Sequence, residues 1–385
     1  MQRRLLALAA VLVLAAPADA AVRTGPPGTR FYTPPQSLPK GPHGTPIWQR
    51  KLTGNAVIKG AGGNTLLLYR SQSVDGRAIA VSGTVAVPKG KAPKRGWPVV
   101  TWAHGTVGIA DRCAPSRLGT QANYDTPLLR RWLKAGYAVV RTDYEGLGTP
   151  GAHPYLIGVS EGRGVVDMVR AARKLDARIG KRIVIAGHSQ GGQAALFAGS
   201  LAPRWTPELD VRGTLAFAPV SHLGEQGRLL ALLTTPSNLS GLAAMIVRGV
   251  DIANPGLGIP TLLSDKARAL YPRLDEKCLG DLAKPDSFGG VAPAELFRLG
   301  AALDPVFAAL DANDAETLSI RGPVLIEQGT ADTTVLPNFT GDLNTTLKRR
   351  GVQVTYKTYA GVDHGGIVIR RRSADDAFAW VKQRL

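Results

Sequence analysis

Cysteine is scarce in this 385-residue chain: there are two, Cys113 and Cys278. They form no CxxC pair and have no cluster of histidines around them, so the ligand spacings of a zinc site are missing. A P-loop and an HExxH helix are also absent, which sets aside phosphate-cradling and zinc-protease chemistry, and no metal or cofactor is implied. Beyond the first twenty residues no segment holds about eighteen apolar residues without interruption, so no transmembrane anchor is expected. There is no internal repeat. Acidic residues are few, 29 against 47 lysines and arginines, which leaves a formal net charge of +18. No zinc-finger spacing or aromatic-basic platform accompanies that excess, which argues against nucleic acid as a partner. The runs Lys348-Arg349-Arg350 and Arg370-Arg371-Arg372 better suit an anionic envelope, a membrane surface or a lipid interface, or else a solvated face.

The first twenty residues read as a processing segment. Arg3-Arg4 supplies a positive start, residues 5–16 an apolar stretch of twelve, and Ala18-Asp19-Ala20 a small-x-small site with cleavage expected after Ala20. Twelve apolar residues are too few to cross a bilayer. The expectation is a secreted, extracellular protein. In an oxidising compartment two cysteines most simply pair with each other. A Cys113–Cys278 bond closes a loop of 165 residues, for which chain entropy gives an upper figure of about 5 kcal/mol.

Hydrophobic residues at 44% and charged residues at 20% are ordinary for a globular chain. Residues 21–50 are rich in proline and glycine and read as an extended arm without packing. Asp75-Gly76 marks a hairpin turn before the strand at 79–87, which Pro88 ends. The pattern then alternates. Strands are predicted at 97–103, 137–142, 182–186, 213–218, 323–328 and 352–359. Helices are predicted at 128–135, 164–175, 193–202, 340–350 and 374–385. Continuous apolar strands alternating with helices indicate an α/β fold, a mostly parallel sheet covered on both faces. Residues 222–316 break the alternation with apolar helix-like runs and no strand. An insertion of about 95 residues is too long for a loop and reads as a helical cap. Its apolar faces either pack on the core or form a lid over a greasy substrate. The core is thereby divided into 51–221 and 317–385.

The chemistry centres on Ile183-Val-Ile-Ala-Gly187-His188-Ser189-Gln190-Gly191-Gly192. A β-branched strand, a Gly-x-Ser-x-Gly turn and an alanine-rich helix follow one another, the order in which a tight elbow lifts a serine clear of the backbone. Gly187 and Gly191 suit close backbone packing. A serine becomes a nucleophile only with a base to take its proton. Of six histidines, His43 lies in the arm, and His188, inside the elbow, is expected to point away from the serine. His104 reads as structural. His364, in Val362-Asp-His-Gly-Gly366, follows the last predicted strand, and Asp332, in Gln328-Gly-Thr-Ala-Asp332, follows the penultimate one. The order Ser189, Asp332, His364 is the serine–acid–histidine order of an α/β-hydrolase. All three fall in loops at the carboxyl ends of strands. Asp363 is a rival acid, but as the neighbour of His364 it better suits a local turn. The oxyanion donors are read as the Gln190 amide and an amide of the loop Trp102-Ala-His104-Gly105-Thr106, either Gly105 or Thr106, with Thr106 favoured for its hydroxyl. Gly146-Leu-Gly148-Thr-Pro-Gly151 imitates a dinucleotide fingerprint, but Pro150 and Pro154 prevent a helix from opening there.

From about Thr65 onward the chain resembles the secretory lipase family, the lipase A type of α/β-hydrolase. The resemblance is carried by Ala80-Val-Ser-Gly-Thr-Val, His104-Gly-Thr with Cys113-Ala-Pro-Ser116, Asp143-Tyr-Glu-Gly-Leu-Gly148, Gly187-His-Ser-Gln-Gly-Gly192 and Gln328-Gly-Thr-Ala-Asp332. It implies an α/β-hydrolase fold with a helical cap, a cysteine at position 113 bonded to one in the cap, and hydrolysis of lipid or other carboxylic esters. Fungal lipase A members carry an acidic residue where this chain has His-Gly-Thr, a departure that points toward a bacterial esterase branch. The same triad also serves polyester hydrolases, acyltransferases and peptidases. A non-catalytic binding protein on the same fold is the reading from another class.

Overall fold

The computed structural model describes residues 21–118, 124–237 and 239–385. The expected signal peptide, residues 1–20, lies outside them. Nine strands form one sheet: β1 (Pro46–Lys51), β2 (Gly63–Gln72), β3 (Ala78–Val87), β4 (Trp97–Ala103), β5 (Ala138–Thr142), β6 (Ile179–His188), β7 (Asp210–Phe217), β8 (Val324–Gly329) and β9 (Val354–Tyr359). Their order across the sheet is β1-β2-β3-β5-β4-β6-β7-β8-β9. The first four in that order pair antiparallel, and from β5 to β9 every pairing is parallel.

The continuous apolar runs of the central strands follow from cover on both faces. In β4 and β6, Val99, Ala103, Ile183 and Ile185 pack against the helices Gly158–Leu175 and Gln190–Trp205. Their neighbours Val100, Trp102, Val184 and Ala186 face the helices Thr126–Lys134 and Arg371–Lys382. Side chains alternate sides along a strand, so only a strand buried twice is apolar at every position.

Two expectations need correction. The 21–50 segment is packed rather than free: Phe31 and Tyr32 are buried beside Leu66 and Leu68, and Trp48 donates to the Phe31 carbonyl at 2.8 Å. Adjacent aromatics bury enough surface to hold a proline-rich chain in place. The segment also ends in the edge strand β1, whose polar residues Gln49, Arg50 and Lys51 carry no strand-like alternation. His43, within this segment, fastens it to the helices that carry Asp167 and Trp205. Its Nδ1 lies 2.5 Å from Asp167 Oδ1, and its ring stacks on Trp205 at 4.0 Å.

Between β7 and β8 no strand of the sheet occurs among the described residues. The chain there folds into the helices Leu223–Leu230, Leu239–Ala253, Ile259–Leu262, Asp265–Leu270, Leu279–Leu282 and Asp304–Asp311, with short 3-10 turns between them. This insertion has a core of its own, including Met245, Val250, Ile259, Leu274, Leu282 and Phe288. It is fixed to the sheet through the Cys113–Cys278 disulfide and the hydrogen bond from Leu279 N–H to the Val107 carbonyl at 3.0 Å. Both ties meet the loop that follows β4.

Candidate active site

β6 ends at His188 and the next helix begins at Gln190, leaving Ser189 alone to reverse the chain, at φ +58° and ψ −120°. So sharp a turn presses two backbones together. A Cβ on Gly187 would lie 2.0 Å from the Gly191 carbonyl oxygen, and one on Gly191 would lie 2.0 Å from the Ala103 oxygen. No side chain fits at either place. The elbow is held from the neighbouring strand by Ser189 N–H, which donates to the Phe217 carbonyl at 2.9 Å.

Three loops converge on this serine. His364, after β9, places Nε2 2.9 Å from Ser189 Oγ. Its Nδ1 lies 2.7 Å from Oδ2 of Asp332, which stands after β8. A carboxylate accepts, so the proton between them sits on Nδ1, and Nε2 is left to accept from the serine hydroxyl. Oδ1 of Asp332 accepts from the amides of Thr334 at 2.9 Å and Val335 at 2.8 Å, while Gln328 Nε2 donates to Oδ2 at 3.1 Å. Burial pushes the Asp332 carboxyl up. The His364 hydrogen bond and charge, with the two amides, outweigh it and hold the group below the usual carboxylate range. Asp363 lies outside this relay; its Oδ1 accepts from Gly366 N–H at 2.7 Å at the start of a short helix.

His188 is at the site rather than directed away from it. Its ring centre is 4.6 Å from that of His364, and its Nε2 lies 2.9 Å from the His364 carbonyl. A carbonyl only accepts, so Nε2 carries the proton and Nδ1 accepts from the Tyr124 hydroxyl. Burial, with His364 nearby, pushes the His188 imidazole down to about 3, so it is neutral. It thereby steadies the backbone that carries His364. Neither His188 in this role nor Tyr124 has a sequence signal, because their contact joins positions 64 apart.

Gln190 is the first residue of its helix, where backbone N–H groups have no acceptor within the helix. Gly105 and Thr106 line the same cavity as Ser189 and His364, and Thr106 Oγ1 lies 2.6 Å from the Tyr155 hydroxyl. His104 turns inward, with Nδ1 2.7 Å from the Gly105 carbonyl and its ring against Tyr144. The cavity measures about 610 Å³. Leu230, Leu233, Leu239, Leu242 and Ile246 of the insertion form much of its wall, opposite Val335 and Phe339. Among the described residues no group of three or more acidic, histidine or cysteine side chains is placed to hold a metal ion.

An elbow serine at the carboxyl end of a parallel strand, with acid and base after the last two strands, β8 and β9, defines the α/β-hydrolase fold, and solved structures agree. Candida antarctica lipase A superposes with a TM-score of 0.74 at 21% identity, covering 90% of this chain and 85% of its own. The rice cell wall degrading esterase LipA from Xanthomonas oryzae gives 0.75 at 19% identity, covering 90% and 100%. Residues 113–385 match the model of the secretory lipase family, and the chain belongs to that family. Among curated relatives, a protein of Mycobacterium tuberculosis described as a "probable inactive lipase" is 29% identical over 262 residues, 64% of this chain and 57% of its own length. Lipase A of Moesziomyces aphidis is 28% identical over 272 residues, 66% and 56%. The chain thus spans somewhat more than half the length of the curated relatives it matches.

Proposed function

We propose that this protein is a secreted serine carboxylic-ester hydrolase. The observation that carries the reading is the unbroken relay from Ser189 through His364 to Asp332, opening into an apolar cavity. Ser189 Oγ attacks the ester carbonyl as His364 Nε2 takes its proton, and Asp332 holds the imidazole and stabilises its positive charge. The amides of Gln190 and Thr106 receive the oxyanion. His364 then returns the proton to the leaving alcohol, and the same imidazole activates the water that releases the acyl group. Every proton transfer is made by these side chains, and the scheme requires no cofactor.

The insertion serves in this reading as a cap with an acyl sleeve. Each methylene buried against its leucines gains about 0.8 kcal/mol, which favours medium-chain or lipid-like esters over acetate. The relative named as inactive makes turnover the quantity to measure. A fluorophosphonate probe is expected to label Ser189, and kcat/KM on p-nitrophenyl esters to rise several-fold per added pair of carbons until the sleeve is full. A folded protein that neither takes the probe nor hydrolyses any ester overturns the reading. A protein fastest on acetate, falling steadily with chain length, overturns the sleeve and leaves a short-chain esterase.

A further inference from the structure

Behind the helix that starts at Gln190 lies a group of buried polar side chains that the mechanism above does not use. Glu161, in the helix Gly158–Leu175, is fully buried. Its Oε1 accepts twice, from Leu156 N–H at 3.0 Å and from Gln190 Nε2 at 2.8 Å. Gln190 Nε2 also lies 3.0 Å from His153 Nε2. His153 Nδ1 is 2.8 Å from the Glu145 carbonyl, so the ring proton sits on Nδ1 and Nε2 accepts. Both N–H bonds of the Gln190 amide are thereby engaged. Oε2 of Glu161 is buried without a hydrogen-bond partner among the described residues.

Each contact of Glu161 leads to one half of the oxyanion site. Gln190 supplies the first donor through its own backbone. Leu156 is held in the left-handed region at φ +60° and lines the cavity. Beside it, Tyr155 places its hydroxyl 2.6 Å from Thr106 Oγ1, on the residue that supplies the second donor. A buried carboxyl with one oxygen unsatisfied costs stability, and packing alone would favour an apolar side chain here.

Resting on the ester-hydrolase reading, we propose that Glu161 is a positioning residue for the oxyanion hole, holding the Gln190 side chain and the 155–156 turn so that both amides converge on one oxygen. The titratable groups facing it are His153 and Tyr155 from the loop before its helix and Tyr144 from the loop after β5. Burial pushes the Glu161 carboxyl up to about 8, so it is mainly the neutral acid at pH 7. Burial also pushes His153 down to about 3, which keeps that ring uncharged. Ionisation of Glu161 at higher pH sets a negative charge behind an amide that must stabilise another, and weakens transition-state binding.

The test measures kcat and KM of the full chain on p-nitrophenyl butyrate from about pH 6 to 10, for wild type, Glu161→Ala and Glu161→Gln. Glu161→Ala is expected to lower kcat by about 10- to 100-fold with KM within about twofold, since the hole acts on the transition state and not on ground-state binding. Glutamine keeps one accepting oxygen and stays neutral. Glu161→Gln is therefore expected to recover kcat to within about fivefold at pH 7 and to lack the fall in kcat that wild type shows above about pH 8. Wild-type kcat in Glu161→Ala, or an unchanged alkaline fall in Glu161→Gln, overturns the inference alone. If Glu161→Ala does not fold, as judged by near-ultraviolet circular dichroism, the Glu161→Gln profile decides. A wild-type protein inert toward esters sinks the hydrolase reading and this inference together.

Discussion

In the proposed mechanism Ser189 serves as nucleophile only while His364 lies within hydrogen-bonding distance, and His364 is aimed from both sides, by Asp332 at Nδ1 and by His188 at its carbonyl. Members of such a relay act as a unit. Ser189→Ala or His364→Ala alone is expected to lower ester turnover by about four to six orders of magnitude. Asp332→Asn is expected to cost less, because the imidazole keeps its place although it loses its charged partner and the carboxylate that fixes its tautomer. Stopped-assay kinetics on purified, folded variants check this. Near-normal turnover in Asp332→Ala would remove that residue from the acid's role. The three relay positions are legible in the sequence because each follows a predicted strand, for Ser189 and Asp332 one with a strongly apolar run and for His364 the mixed edge strand β9, and chain order assigns the part. His188, Tyr124 and Glu161 are not. One occupies the variable place of the elbow motif, one stands in a loop without periodicity, and one lies in the stretch ahead of the predicted helix 164–175 until the fold places it in a buried first turn.

The elements legible at a distance are those buried on both faces. β4, β6 and β8 announce themselves through the apolar stretches 97–103, 183–186 and 324–326. β1 does not, because an edge strand needs no such run. The helix Gly158–Leu175 begins six residues before its sequence pattern does, since Gly158 and Gly162 read as breakers. A Cβ on Gly158 would meet the Phe197 ring at 2.3 Å, so this glycine permits close helix packing and does not end a helix. In the insertion, sequence leaves open whether the apolar faces pack inward or meet a substrate, and the structure divides them: Met245 and Val250 are buried in its core while Leu242 and Ile246 of the same helix line the cavity. Leu242→Asp and Ile246→Asp are therefore expected to reduce kcat/KM on octanoate esters by about tenfold or more, since several buried methylenes are lost, and to affect acetate much less. An acyl-chain series on the two variants checks this. Equal losses on both esters would mean that acyl chains bind elsewhere.

Over the whole molecule, buried ionisable groups make stability depend on pH in two opposite ways. Burial raises Asp125 and Glu145 to about 6, Asp314 to about 7 and Glu161 to about 8. A raised folded pKa contributes stability that is present below the ordinary carboxylate value and lost as pH climbs through the folded one. Burial lowers His153 and His188 to about 3 and also lowers His104, so their contributions are present above about 6.5 and lost as pH falls. Between about pH 4.5 and 6.5 the two sets oppose each other. Above that Asp314, Glu161 and Glu327, whose carboxyl burial also pushes well above the usual range, still titrate, and stability is expected to decline toward about pH 8. Thermal unfolding followed by circular dichroism checks this: Tm is level in the lower range, falls by several degrees in the upper one, and falls less in Glu161→Gln and Asp314→Asn. A Tm that rises from pH 6.5 to 8 contradicts it. The order of strands along the chain has a different consequence, one of timing. Ser189 follows β6, but Asp332 and His364 wait on β8 and β9, beyond the whole insertion and at the far edge of the sheet. A polypeptide emerging amino end first exposes its serine long before it owns a base. In the proposed mechanism the serine therefore gains its partners only when the final two strands dock.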